Sequence, residues 1–429
     1  MVGNRDRTES RLRQIVEDCL RRSLRPDQAL PSDDVDWIAS DLLDSMGHVD
    51  VLLSIERAAG LTDFFSRVES APPTTTQKVL AALQDAVKQE TPSRQPQARR
   101  LQGGLSASAE ITGWGFIVGA QRVEAASVER EFSLPTGTIR ERAGIECVAR
   151  ASGDQSELSL ATAAANAALE RADVDAGDLD WLLAASETSV GFPSLGSLVH
   201  SRLLLRDSCG VLDLGGACVG LLNALAIARS LLTSGVARHI LVVTSDVHSQ
   251  YLLPGRVAGE FGGLFGDGAS AFILCRTREG SDSPRYRLGE FQFGCAGTFS
   301  SALAIRPNPD GTMMLKFEGD ALARAAVNRL EKIVSDLEVQ SGHRRQDANS
   351  FATHQPNPRL VEMLARQSGV PPDKFPVVAK VYGNLGCSTC GVALCMALGT
   401  QDAKVPAERG PIFMAAVGPG MLWGGGVVF

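Results

Sequence analysis

Cys218, His354 and Asn384 each stand in a loop that follows a strand, and together they offer a nucleophile, an imidazole and a side-chain amide. Cys218 lies in Asp213-Leu-Gly-Gly-Ala-Cys-Val-Gly-Leu-Leu-Asn-Ala-Leu225, which leaves an apolar strand and enters an amphipathic helix. The small neighbours let another molecule approach the sulfur. A thiol at a helix N-terminus also feels the positive end of the helix dipole, which favours thiolate. A cysteine that simply packs is the competing reading. His354 sits in Ala-Thr-His-Gln-Pro-Asn357 and Asn384 in Tyr-Gly-Asn-Leu-Gly386. Taken singly, these also read as a structural histidine and a turn asparagine. Residues so far apart can meet only in a fold that gathers loop ends.

A fourth candidate stands near the N-terminus. Asp44-Ser45-Met46 opens a helical stripe of Met46, Val49 and Leu53, behind an acidic stretch of Asp33, Asp34, Asp36 and Asp41. Either Asp44 or Ser45 suits the N-cap. A serine there is open to a modifying enzyme, and a phosphodiester on it would sit on free backbone N–H groups. A plain capping serine is the alternative. His48 is one turn away, but Gly-x-Ser-x-Gly is absent and a hydrolase site is not expected.

Other patterns exclude chemistry. Cys387, Cys390 and Cys395 form C-x2-C-x4-C, yet no second cysteine pair or paired histidine follows, so no metal site is expected. Gly418-Pro-Gly420 and Gly424-Gly-Gly426 lack the G-x-G-x-x-G spacing of a dinucleotide turn. A net charge of −7 gives no reason to expect nucleic acid or an anionic membrane. Nine scattered cysteines suit a reducing cytoplasm, and no apolar run of about 18 residues is present to span a bilayer.

The elements that must position these residues fall into three regions. Residues 1–90 read as a helical unit, with Leu12, Ile15, Val16 and Leu20 on one face and Val79, Leu80, Leu83 and Val87 on another. Residues 91–108 have no hydrophobic period and read as a flexible linker. Residues 109–429 alternate strands and helices, as in a sheet covered on both faces. Expected strands include Ile111 to Val118, Leu179 to Ala185, His239 to Thr244 and Ser350 to Thr353. Expected helices include Leu158 to Arg171, Val219 to Ser234, Ala321 to Val339, Pro358 to Ser368 and Gly391 to Leu398, with a hairpin from Ile412 to Phe429. The scheme repeats, giving two related halves of about 109–282 and 283–429.

The order Gly-Ala-Cys-Val-Gly, Leu264-Phe-Gly-Asp-Gly-Ala-Ser270, His-Gln-Pro-Asn, Gly-Asn and Gly418-Pro-Gly-Met-Leu-Trp-Gly424 resembles β-ketoacyl-ACP synthase III, a thiolase-like condensing enzyme. Residues 1–90 resemble an acyl carrier protein. The resemblance implies an αβαβα layered sandwich of two thiolase-type halves, usually a homodimer, behind a four-helix carrier bundle. Cys218 would take an acyl group as a thioester. His354 and Asn384 would donate to the thioester carbonyl of a malonyl-type extender and stabilise the enolate left by loss of CO2.

Ser45 would carry 4′-phosphopantetheine, attached by a phosphopantetheinyl transferase. Phe192 matches a residue that reaches the partner subunit's acyl pocket; otherwise it is an aromatic packed beside a turn. Arg359 matches a carrier-docking position; otherwise it is a solvated arginine. Arg142 is retained in the coenzyme A loop, but Thr138 stands where the family usually has a tryptophan. That departure implies acyl groups delivered on carrier proteins. Pro419 has no N–H to offer an oxyanion, so the second donor beside the Cys218 N–H would be a neighbour such as Gly420. The alternative reading is an acyltransferase passing the group from Cys218 to an alcohol or amine. That chemistry needs a base, which an acidic residue in place of Asn384 would supply.

Overall fold

The structure, a computed structural model, describes residues 2–25, 28–61, 73–89, 107–189, 191–278, 286–297, 303–307, 313–317, 319–404 and 409–429. The chain divides into two compact units, Met1–Gly103 with Glu318–Asn328, and Gly104–Phe317 with Arg329–Phe429. Most of the expected linker lies outside the described residues. None of the described helices is long and apolar enough to cross a membrane.

Three helices build the N-terminal region: α1 (Val2–Ser23), α2 (Ser45–Ala59) and α3 (Thr76–Gln89). Leu12, Val16, Cys19 and Leu20 recur at helical spacing and are buried with Trp37, Leu52, Ile55, Val79 and Leu83. Asp44, not Ser45, is the N-cap of α2, its carboxylate accepting from the Gly47 N–H at 2.7 Å. Gly60 closes α2 at φ 73°, a left-handed cap that a Cβ would strain. His48 is a core residue, its Nε2 2.9 Å from the Pro73 carbonyl and its ring edge-on to Trp37. Where four helices were expected, three are present among the described residues, and 62–72 lie outside them.

The large unit opens with β1 (Ala107–Val118), β2 (Gln121–Glu124), α4 (Ala125–Glu131), β3 (Cys147–Arg150) and α5 (Glu157–Ala172). β4 (Trp181–Ala185), α6 (Leu195–Arg202), β5 (Gly210–Leu214), α7 (Gly220–Thr233), β6 (His239–Val247), α8 (Gly259–Gly262) and β7 (Asp267–Arg278) complete the first half. The second half runs through β8 (Tyr286–Cys295), β9 (Leu303–Pro307), β10 (Met313–Phe317), α9 (Gly319–Ser341), β11 (Ser350–Thr353) and α10 (Pro358–Ser368). It ends with α11 (Ala379–Tyr382), α12 (Ser388–Asp402), β12 (Ile412–Gly418) and β13 (Leu422–Val428).

Nine strands form one sheet in the order β11-β12-β13-β8-β1-β7-β6-β4-β5. Read outward from the β1–β8 junction, β1-β7-β6-β4-β5 is mirrored by β8-β13-β12-β11. The expected repetition is therefore present in topology, and the second half lacks one outer strand among the described residues. Antiparallel pairing of Glu110 with Arg287 and Ile111 with Tyr286 joins the halves.

The core explains why these strands read as continuous apolar runs. In β6, Ile240 and Val242 join the cluster built on α7 and α12, whereas Leu241 and Val243 join the cluster built on α5 and α6. A strand covered on both faces has no polar side to show. Helix α12 is buried along nearly its whole length, and its cluster holds Phe272 of one half and Met414 of the other. It is a central layer, hydrophobic all round.

The glycines of β1 make a close approach possible. A Cβ at Gly113 would stand 2.1 Å from the Ala168 carbonyl and 2.7 Å from the Ala172 Cβ on α5. Gly113→Val is therefore expected to destabilise the large unit by about 3 kcal/mol. A lower urea midpoint with an unchanged slope checks this; an unchanged midpoint would contradict the packing.

Candidate active site

Cys218 is presented by a strand-to-helix turn. β5 ends at Leu214, Gly216 (φ 121°) and Ala217 (φ 47°) turn the chain, and Ala217–Val219 form a short 3-10 turn before α7. The Asn223 amide donates to the Gly215 carbonyl at 2.9 Å and ties the turn to the helix. A Cβ on Gly418, at the end of β12, would lie 3.4 Å from the Cys218 backbone N and 3.7 Å from its Sγ. The Gly-Pro-Gly turn thus meets the nucleophile through Gly418. A Cβ on Gly420 (φ 74°) would meet nothing within 4 Å.

His354 follows β11 and is held by its N–H to the Ala415 carbonyl of β12, three residues before Gly418. Its ring is buried, with Nδ1 lacking a hydrogen-bond partner. A bare lone pair is less costly to leave dry than an N–H, which places the ring proton on Nε2. Burial and the nearby His248 push the His354 pKa down to about 3. The ring is therefore a neutral donor at physiological pH. Gln355 positions the next segment, its Nε2 donating to the Pro376 carbonyl at 2.7 Å and its Oε1 accepting from the N–H groups of Val378 and Ala379. Asn357 caps α10 by accepting from the Leu360 N–H at 2.9 Å.

Asn384 is pinned through its backbone. Its N–H donates to the Leu264 carbonyl at 2.8 Å, and its own carbonyl accepts from the Gly266 N–H at 2.9 Å. A Cβ at Gly266 would stand 2.0 Å from the Tyr382 carbonyl, which accounts for glycine there. The Asn384 Oδ1 accepts from the Gly386 N–H at 3.0 Å and from Thr389 Oγ1 at 3.2 Å. With the oxygen so occupied, the amide N–H2 is left to donate. Asp267 of the same Leu264–Ser270 stretch is a buried tie. It accepts from the N–H groups of Ser249 and Ala151 and from the Ser249 hydroxyl.

Two residues that the sequence did not single out join the site. Glu187, just beyond β4, acts electrostatically on Cys218, and its Oε1 is buried without a partner. Its own N–H donates to Asp246 Oδ1 at 2.7 Å. His248 is buried, with Nδ1 3.1 Å from the Gly266 carbonyl and Nε2 without a partner. Both flank Gly386: a Cβ there would lie 2.6 Å from His248 Cε1, 2.8 Å from Asp246 Oδ2 and 3.0 Å from Glu187 Oε1. Gly386 also has φ 60°, so glycine is favoured twice over.

These acids overturn one expectation. The helix dipole was to lower the Cys218 pKa; instead burial, then the charge of Glu187, raise it well above the ordinary thiol value. Cys218 lies within the 3-10 turn before α7, and burial and the neighbouring acids penalise thiolate more than the dipole helps it.

The remaining candidates are dispersed. Phe192 is 99% exposed, so the reading of a packed aromatic does not hold within this chain. Ser194 beside it caps α6 and donates to Asp213 Oδ2 at 2.6 Å, linking the Phe192 loop to the Cys218 strand. Thr138 is buried, its hydroxyl donating to the Pro135 carbonyl at 2.7 Å, and Arg142 is exposed. Arg359 pairs with Glu362 at 3.0 Å and donates to the Glu141 carbonyl at 3.1 Å. Cys387, Cys390 and Cys395 diverge: their thiols donate to Asp246 and to the carbonyls of Ala352 and Gly115 respectively. Ser45 is the first residue of α2; its side chain lies outside the described part.

Comparison with known proteins agrees with this arrangement. The family described as 3-oxoacyl-[acyl-carrier-protein (ACP)] synthase III matches residues 212–297, and its C-terminal part matches residues 339–429. A β-ketoacyl-[acyl-carrier-protein] synthase III of Vibrio vulnificus is 29% identical over 325 residues, covering 75% of this chain and 88% of the relative. The crystal structure of 3-oxoacyl-[acyl-carrier-protein] synthase III from Aquifex aeolicus superposes with a TM-score of 0.66 at 25% identity, covering 75% of this chain and 99% of its own. A priming β-ketosynthase of a polyketide biosynthetic pathway gives a TM-score of 0.66 at 25% identity over 77% of this chain and 98% of its own. The large unit is thus similar to 3-oxoacyl-[acyl-carrier-protein] synthases III along most of its length and shares their α/β fold.

Proposed function

We propose that the chain forms a carbon–carbon bond by decarboxylative Claisen condensation, in fatty-acid or polyketide-type assembly. The observation that carries the reading is the donor pair: a neutral His354 and an Asn384 whose amide N–H2 is left to donate, in a fold that also presents Cys218 at a turn. Cys218 takes the acyl group as a thioester. A malonyl-type thioester then loses CO2, and its C–C bonding pair becomes an enolate whose oxygen accepts from His354 and Asn384. Neutral donors stabilise that oxygen without protonating the carbon. The carbanion attacks the acyl carbonyl, the bond to Sγ breaks, and the released thiolate takes a proton from solvent to restore the thiol. The Cys218 N–H serves the second oxyanion, with Gly420 as the candidate for its other donor because Pro419 has none.

Residues 1–90 are proposed as an acyl carrier, with Ser45 bearing 4′-phosphopantetheine placed there by a phosphopantetheinyl transferase. The position fits in one respect: Ser45 is the first residue of α2, next to the exposed cap Asp44. The arm would hold acyl units as thioesters. Ser45→Ala is expected to abolish the mass gained on incubation with a phosphopantetheinyl transferase and coenzyme A, while wild type gains one arm. An arm on the Ala variant places the attachment elsewhere.

Thr138 offers no aromatic face, which supports delivery of acyl groups on carriers, and Arg359 is proposed as a docking contact beside exposed Arg142. The fully exposed Phe192 supports a homodimer in which that ring enters the partner's acyl pocket. Product analysis by mass spectrometry tests the main reading: a lengthened 3-oxoacyl thioester with one CO2 released per turnover is expected. A second reading, acyl transfer to an alcohol or amine, is favoured by the carboxyl beside Cys218, and it predicts an ester or amide without CO2.

A further inference from the structure

We propose that Glu187 is the general base that takes the Cys218 proton when the sulfur receives its acyl group. This rests on the reading that Cys218 is acylated, and it adds to the site a carboxylate that neither the donor pair nor the helix start supplies.

The placement is built rather than incidental. Glu187 follows β4, and its N–H donates to Asp246 Oδ1, so the backbone cannot swing away. The residues on either side are fixed as well. The hydroxyls of Ser186 and Thr188 donate to Glu157 of α5, and Ser186 also donates to Asp246 at 3.2 Å. The charge of the carboxyl reaches the Cys218 thiol, while Oε1 is buried with no partner and lies 3.0 Å from where a Cβ on Gly386 would stand. A buried oxygen without a donor is a standing cost, of a kind that clusters where chemistry needs it. The missing side chain at Gly386 makes the space it occupies.

Groups facing the carboxyl come from four directions. Asp246 of β6 lies across Gly386, its Oδ2 accepting from the Cys387 thiol at 3.0 Å and from Ser388 at the start of α12. His248 borders it beyond β6, Cys218 faces it from the turn before α7, and Glu157 stands behind it on α5. Burial, then the charge of Asp246, push the Glu187 pKa up to about 8, against a thiol that is itself raised. A thiol so placed has little thiolate of its own, and a carboxylate of raised pKa is a stronger base than an ordinary one.

The step balances. As Sγ forms its bond to the donor's thioester carbonyl, the Sγ proton passes to the Glu187 carboxylate. Collapse of the tetrahedral intermediate breaks the carbonyl bond to the donor sulfur, and the departing thiolate takes the proton back from Glu187. One thioester replaces another, and the carboxylate is regenerated.

The test follows acylation of Cys218 by quenched intact mass spectrometry, on the full chain, from about pH 6 to about pH 10. The probes are acyl-pantetheine thioesters from acetyl to octanoyl. Wild type is expected to accelerate about tenfold per pH unit below about 8 and to level off above it. Glu187→Gln is expected to acylate roughly 100-fold more slowly at pH 7, with no plateau near 8 and a rise that follows the thiol alone. Glu187→Asp, which keeps the acid with a shorter reach, should retain a levelling profile at a lower rate. An unchanged profile in the Gln variant overturns the proposal. Should that variant not fold, a wild-type profile without a limb near 8 overturns it equally. If wild-type Cys218 takes no acyl group from any donor, the reading of the site itself fails.

Discussion

Cys218→Ala is expected to leave no acyl-enzyme and to lower product formation by roughly 10⁴-fold or more. The size follows from the role: without the sulfur there is no thioester for the carbanion to attack, and the donors in the site stabilise a charge that has nowhere to go. No other described cysteine is placed to substitute. Cys387, a short step away, is fully buried and spends its thiol on the Asp246 carboxylate and the Ala185 carbonyl. Burial and Asp246 also raise its pKa well above the ordinary value. Intact mass spectrometry after incubation with an acyl donor reads the result directly: one acyl group on Cys218 in wild type, none there in the variant. Elongated product from the Ala variant at more than a trace would move the nucleophile elsewhere.

His354→Ala is expected to lower condensation by about 10²–10³-fold while leaving acylation of Cys218 within about tenfold of wild type. The split separates the two half-reactions of the proposed mechanism: there His354 serves the enolate oxygen of the extender, whereas the acyl transfer to sulfur draws on the turn and on Glu187. Asn384→Ala should act in the same direction, and the double variant should lose less than the product of the two, because both donors address one oxygen. The pH dependence gives a second check. With its pKa pushed down to about 3 by burial and His248, His354 stays neutral throughout the working range. Condensation from preformed acyl-enzyme should show no histidine limb between about pH 5 and about pH 8. A rate that falls as pH rises through about 6.5 would mean that the imidazolium is the active form, and would reverse the assignment of a neutral donor.

Much of the scaffold could be read from local pattern. Helix α10 runs from Pro358 to Ser368 as the proline at its start and the period of Leu360, Met363 and Leu364 demand. β11 spans Ser350 to Thr353 as expected, and the terminal hairpin is β12 with β13. α12, expected from Gly391 to Leu398, runs from Ser388 to Asp402. Its first turn is buried like its middle, so nothing in the pattern marks where it starts. β7 and β8 were not anticipated. β7 is fully buried at its centre, and β8 is buried only at Tyr286 and Leu288, so neither shows a clean alternation.

Sequence alone determined which side chains could do chemistry. Cys218 and Asn384 stand at glycine turns and His354 at the end of a short apolar strand, and such signals are local. It also determined the α/β class, because apolar runs separated by helical periods leave few other folds. Tertiary structure decided the electrostatics. Glu187 lies in Ser-Glu-Thr-Ser, a segment as polar as any surface loop, and only the packing of β4, β6 and α12 turns its oxygen inward beside Gly386, where its charge acts on Cys218. The raised thiol and the lowered imidazole follow from the same cause. Burial and neighbouring charge belong to distances between residues that are remote in the chain, and no spacing along it records them.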